Sequence, residues 1–149
     1  FRGDYAFLSN YHPCEINFGG IIYPSIENAF QASKSVDPSL LKLFAQDTPG
    51  EAKIRGNEII CRKDWNEIKV QLMKDLLGLK FKDGVLKAKL LSTGTVELKE
   101  GNWWHDNFWG ECTCEKCQVL HDEDSNTLGK LLMELRTEIR RGTDDIEKM

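Results

Sequence analysis

The sequence is short of the features that would place it in a membrane, outside the cell or along a nucleic-acid backbone. No apolar run approaches the roughly 20 residues that a membrane-crossing helix needs, and no charged-then-apolar leader opens the chain, so neither a span nor a secretory route is expected. Prolines number only four and no low-complexity tract interrupts the sequence, which excludes extensive disorder away from the ends. Positive charge is in deficit: the net charge is −4, so the field of the whole molecule repels a polyanion and any nucleic-acid contact must be local. Walker and Rossmann glycine loops, HExxH and GxSxG are all missing, which removes the common nucleotide-loop, zinc-protease and serine-hydrolase signatures. Cysteine is present but unpaired in number. Of five, three crowd into Cys112, Cys114 and Cys117, whereas a secreted disulfide framework pairs out and spreads along the chain. A reducing, cytoplasmic setting is therefore expected.

What remains is the composition of a folded globule. With 149 residues, 40% hydrophobic and 30% charged, one core can be buried without staples, and a single domain over residues 1–141 with a frayed tail over 142–149 is expected. Phe1 to Pro13 mixes aromatics with polar residues and lacks a helical period, so it reads as extended or looped. Gly19-Gly20 between apolar runs marks a β-hairpin. Pro24-Ser25 opens a helix to about Val36, with Ile26, Ala29, Phe30 and Ser33 inward and Glu27, Gln31 and Lys34 sharing the opposite stripe.

Asp37-Pro38, Thr48-Pro49-Gly50-Glu51 and Asp64-Trp65-Asn66-Glu67 each carry helix-start chemistry; the last leads into Ile68, Leu72, Leu76 and Leu79 at helical spacing. Asp83-Gly84 begins a short helix, Thr95 to Leu98 alternates like a strand, and Gly101 to Ser125 has no period. Asn126 caps a closing helix with Leu128, Leu131, Leu132, Leu135 and Ile139 buried. About six helices against three short strands predict a mainly α chain with a minor β element, an α+β class with an N-terminal hairpin.

Two constellations bear on chemistry. Three of the four tryptophans and one histidine fall between Glu100 and Gly110. They either plug the core or form a pocket that stacks a planar ring beside a carboxylate. Glu27 is either a carboxylate favoured by the helix macrodipole or a working acid. Cys112-x-Cys114-x-x-Cys117-x-x-x-His121 supplies four metal-type ligands, and His105 or Cys14 would also complete a set; without a second CxxC, an unligated loop is expected and no metal is assigned. A cysteine nucleophile beside His105 or His121 has nothing to fix it.

Taken in order, several blocks resemble the YbiA-like NADAR family. They are Phe1-Arg2-Gly3, Phe7 to Tyr11, Tyr23 to Lys34, Ala52 to Gly56, Asp64-Trp65, Asp106 to Gly110 and Asn126 to Arg136. The resemblance runs from Phe1 to about Arg140. It implies a mainly helical domain with no metal or other cofactor and N-glycosidase activity on ribosylated nitrogen, either on riboflavin-pathway intermediates or on ADP-ribose attached to guanine in nucleic acid. Carried over by position, the family's essential glutamate falls on Glu27 and its essential Asp and Trp on Asp106 and Trp109. Arg2, Phe7, Ser9, Asn10 and Lys34 match positions expected to line the pocket or hold phosphate, as do Arg55, Gly110 and Asn126. The cysteine loop departs from the short glycine-rich version of that segment.

The expected reaction builds positive charge at the anomeric carbon while the departing nitrogen gains electrons. By analogy with glycoside hydrolysis, Glu27 stabilises the oxocarbenium-like centre and orients water, Asp106 serves the leaving group or the ribose hydroxyls, and Trp109 stacks on the base or walls off solvent. Arg2 and Lys34 neutralise phosphate. Expected partners are an ADP-ribosylated nucleotide or nucleic acid, or a small phosphorylated riboside, with no membrane and a monomeric chain. The rivals are a nucleotide-binding module that cleaves nothing and a zinc-dependent interaction domain built on the cysteines.

Overall fold

Between Ile16 and Tyr23 the chain does what its Gly-Gly pair asks. Strands β1 (Ile16–Phe18) and β2 (Ile21–Tyr23) pair antiparallel with Ile16 opposite Tyr23. The turn residues Gly19 and Gly20 have φ of 61° and 81°, the left-handed pair that a two-residue hairpin needs and that residues with a Cβ resist. A computed structural model of the chain describes residues 1–118 and 125–147. Contacts group the chain into two units, Leu8–Gly84 and Phe1–Phe7 with Val85–Met149.

The first of these units is built around helix α1 (Ile26–Ala32). Ser25 caps it by accepting the Asn28 amide at 3.2 Å. It ends earlier than Val36: tight bonds from Lys34 to Gln31 and from Ser35 to Ala32 close it, and Pro38 disfavours a helical residue before it. All seven residues are buried, the polar stripe included, because α2 (Pro38–Gln46), α3 (Pro49–Glu58), α4 (Trp65–Lys80) and the hairpin pack around it. One inward face was expected; a helix enclosed by several elements has none to spare for solvent.

Several polar groups in this core are paired. Asn28, fully buried, donates to the carbonyls of Phe44 and Asp47, both at 2.8 Å, and so satisfies the end of α2. Asp37 and Thr48 cap α2 and α3 as their sequences require, Thr48 through a complete capping box with Glu51. Asp64 does not cap α4. Its carboxylate is held by the Arg62 guanidinium at 2.6 and 3.0 Å, so the neighbouring cation has outcompeted the helix amides.

The other unit holds α5 (Gly84–Ser92), β3 (Gly101–Asn102), β4 (Glu111–Cys112), α6 (Glu115–Gln118) and α7 (Thr127–Glu147), with β3 and β4 parallel. Gly3–Leu8 forms a 3₁₀ helix where an extended or looped segment was expected. Thr95 to Leu98 forms no strand: Arg136 of α7 donates to the Val96 carbonyl at 2.9 Å and Asn126 to that of Leu98 at 2.9 Å, so side chains take the bonds a neighbouring strand would have made. Along α7, Leu128, Leu131 and Leu132 are buried while Leu135 and Ile139 are half-buried. The helix runs to Glu147, past the boundary at 141 where a tail was expected to begin. No helix among the described residues is long and apolar enough to cross a membrane.

Candidate functional site

Glu27 stands in the first turn of α1 and is only 8% exposed. Its backbone N–H donates to the Asn10 carbonyl at 3.0 Å, which ties the helix start to the Ser9-Asn10-Tyr11 loop. One helical turn on, Gln31 Nε2 donates to Glu27 Oε1 at 2.9 Å, as the i, i+4 stripe of the sequence requires. Gln31 can lie there because Gly56 of α3 faces its Oε1; a Cβ at residue 56 would overlap that oxygen. The Tyr11 hydroxyl is raised above its ordinary pKa by burial and then by the Glu27 charge, so the two are within electrostatic reach.

Lys34 completes the stripe. Its ammonium is 5.8 Å from the centre of the Trp65 ring, which in turn meets Phe30 at 4.9 Å. Burial lowers the Lys34 pKa; the Cys61 and Glu27 charges oppose this, and Lys53 and Lys69 reinforce it. Lys34 therefore stands in the field of a buried carboxylate and of two further lysines, a combination suited to an anion at one end of a ligand and a developing cation at the other.

The loop ahead of α1 is fixed from below by a residue that sequence reading missed. Lys80, 1% exposed, donates to the Ser9 carbonyl at 2.9 Å, and burial lowers its pKa to about 8 against a smaller opposing effect of Cys14. Its signal was available: Lys80 continues the Leu72, Leu76 and Leu77 face of α4 at helical spacing, so a cation stands where an apolar side chain belongs. Ser9 Oγ accepts the Tyr11 amide at 3.1 Å, and Asn10 Nδ2 lies 3.7 Å from the Met73 sulfur. Asn10 Oδ1 and Gln31 Oε1 are buried without a hydrogen-bond partner among the described residues. Arg55, expected to line the pocket or hold phosphate, spends its Nε and Nη2 on the buried Asp47 at 2.8 and 3.0 Å, an ion pair that braces α2 against α3.

The remaining candidates belong to the unit that contains α7. Asp106 Oδ1 accepts the amides of Phe108 and Trp109, both at 3.0 Å, while its backbone is clasped by Asn102 through bonds of 3.1 and 2.7 Å. Trp109 meets Phe108 edge-on at 4.8 Å. The carbonyls of Phe108, Trp109 and Gly110 accept the amides of Thr127, Leu128 and Asn126, so this loop satisfies the first donors of α7. Asn126, with φ of 57°, is thereby free to turn its amide away from the helix, to Leu98 and Glu100.

Gly110 admits no side chain because a Cβ would overlap the Glu100 carbonyl. Arg2 lies 5.0 Å from the Trp103 ring and lines a cleft of about 350 Å³ with Tyr5 and Val96 to Lys99; Phe7 is buried, with the Lys89 ammonium 5.7 Å from its ring. Of the metal-type ligands, Cys112, Cys114 and Cys117 converge on His105. Cys14 belongs to the other unit, and His121 lies outside the described residues.

A mainly α chain with two small sheets, a buried helix-start glutamate and a turn built on Asp106 and Gly110 defines a recognisable class. The NADAR domain model matches residues 1–140, and the chain belongs to the NADAR domain family. It is 34% identical to the N-glycosidase Npun_R5314 of Nostoc punctiforme, over 91% of this chain and 86% of that protein. The riboflavin biosynthesis protein VVA0006 of Vibrio vulnificus is 33% identical over 92% of this chain, which spans only 36% of that longer protein. The NMR structure of Escherichia coli YbiA superposes with a TM-score of 0.79 at 30% identity, covering 96% of this chain and 84% of that one.

Proposed function

We propose that the protein is an N-glycosidase whose substrate is ADP-ribose joined to guanine in nucleic acid. The general activity rests on family membership together with relatives of similar length named N-glycosidases. The observation that carries the chemistry is the buried Glu27 carboxylate, positioned by Asn10 and Gln31 and within electrostatic reach of Lys34. A carboxylate out of bulk water acts on a developing oxocarbenium ion with little solvent screening, and a nearby ammonium group suits a phosphate carried by the same substrate. The unpartnered Asn10 Oδ1 asks for a donor of the kind a ribose hydroxyl supplies.

Glu27 stabilises the cationic sugar and orients water. Asp106 bonds the ribose hydroxyls or protonates the leaving nitrogen, and Trp109 stacks on the base; these assignments extend the family resemblance. The negative net charge favours one modified base over a long backbone track. Incubation with DNA bearing ADP-ribosylated guanosine should release free ADP-ribose. Binding without release would replace the enzyme with a nucleotide-binding module. A second reading, hydrolysis of a phosphorylated riboflavin-pathway riboside, is favoured by the name of the Vibrio vulnificus relative. Release of free base from that riboside, with none from the DNA, would select it.

A further inference from the structure

Three thiols and an imidazole meet in the α7-containing unit in a way that hydrogen bonding does not explain. The ligand atoms of His105, Cys112, Cys114 and Cys117 all lie within 4.8 Å of one another. His105 Nδ1 is 3.7, 3.5 and 3.3 Å from the sulfurs of Cys112, Cys114 and Cys117 respectively. One ring nitrogen carries either one proton or one lone pair, so it can serve one of the three sulfurs and not all of them. A cation at the centre serves all four. Tetrahedral zinc, with sulfur at about 2.3 Å and nitrogen at about 2.0 Å, has nitrogen–sulfur edges of about 3.5 Å, matching the spacing here.

We propose that His105, Cys112, Cys114 and Cys117 form a structural zinc site. The local fold brings these four together from a short stretch. Parallel pairing of β3 with β4 sets Asn102 beside Cys112, His105 adopts the left-handed conformation with φ of 66°, and α6 carries Cys117. Cys112 and Cys117 are buried, Cys114 is half-buried, and four protein ligands leave no open coordination position, which separates this site from a catalytic zinc.

The Asn107 Oδ1 accepts the Cys112 amide at 2.9 Å, which fixes the backbone at a sulfur-bearing residue. Such outer partners orient metal ligands. The expectation of an unligated cysteine loop came from the lack of a second CxxC; His105, seven residues ahead of Cys112, removes the need for one. Since His105 directly precedes Asp106 and Cys112 follows Glu111, zinc would clamp both ends of the segment that carries Asp106 and Trp109.

The test is metal content. Reduced protein purified from zinc-supplemented medium should hold about one zinc per chain by plasma mass spectrometry. Cobalt added to the chelated, reduced chain should give thiolate charge-transfer bands and the visible bands of a tetrahedral centre. Asn107→Ala should keep the stoichiometry and weaken the metal by about tenfold to a hundredfold. Zinc well below one per folded chain, or a cobalt spectrum without thiolate bands, would overturn the proposal. So would a native mass showing a disulfide among the three cysteines. None of these readouts depends on glycosidase activity, so they stand or fall separately from the function proposed above.

Discussion

Glu27 is held by a helix and Asp106 by a loop. Around Glu27 the positioning bonds come from helical spacing and from elements packed on α1: Gln31 one turn away, Asn10 at the helix start, and Gly56 making room on α3. Around Asp106 they come from a turn, in which one carboxylate oxygen gathers two amides, Asn102 clasps the backbone, and three carbonyls cap α7. The difference matters for robustness. A packed helix resists a single loss, because many contacts define it, whereas a turn depends on a few hydrogen bonds and, on the zinc proposal, on a metal at both ends.

The largest expected effect is at the carboxylate itself. Glu27→Gln preserves the bond to Gln31 in shape but removes the charge, and turnover should fall by about two orders of magnitude or more with the circular dichroism spectrum unchanged. Near-normal hydrolysis by the folded variant would take Glu27 out of the chemistry.

Next comes the loop. Gly110→Ala sets a methyl against the Glu100 carbonyl, which already accepts the Glu111 amide at 2.8 Å and has little freedom to move. A loss of about 3 kcal/mol in denaturant unfolding is expected, the upper end for overpacking. Gly56→Ala, on the helical side, meets the end of a flexible side chain instead, so it should cost about 1 kcal/mol and lower activity by releasing Gln31 from Glu27. In a Gln31→Ala background the same change should cost little, and the coupling in a double-mutant cycle measures the contact. Equal costs at the two glycines would erase the contrast between a yielding and an unyielding neighbour.

The smallest effect is a slope in pH. Below pH about 8 Lys80 is protonated in both folded and unfolded chains, and the fold carries the cost of a buried ammonium. Above that, the unfolded chain binds the extra proton, so stability rises with pH. Burial raises the Cys14 thiol above its ordinary 9.0, an opposing contribution that flattens the rise beyond pH 9 and leaves pH 8 to 9 as the clearest window. Lys34, lowered in the same direction as Lys80, adds to the rise. Urea unfolding should show wild-type stability climbing across that window more steeply than in Lys80→Met; parallel slopes would acquit Lys80.

Much of the helical region was legible because its signals are local. Gly19-Gly20 needs positive φ, Asp37 and Thr48 each cap the helix that starts beside them, and Glu27 and Gln31 are neighbours on any α-helix. Asp64 carried the same cap signal and failed because Arg62, two residues away, offered a stronger partner. The loop was less legible, for its bonds join residues far apart in the chain. Nothing near Leu98 says that Asn126 and Arg136 will take the carbonyls of that segment, and nothing near Cys112 says which of His105, Cys14 and His121 will join the three cysteines.

The sequence by itself determined most helix starts, the hairpin turn, the polar stripe of α1 and the family to which the chain belongs, because each depends on neighbours within a few residues or on the order of short blocks. Tertiary structure alone decided that α1 would be enclosed on every side, that Lys80 would lie beneath Ser9, and that one histidine and three cysteines would converge. Those outcomes rest on long-range burial, where a polar group leaving water takes whichever partner the packing presents.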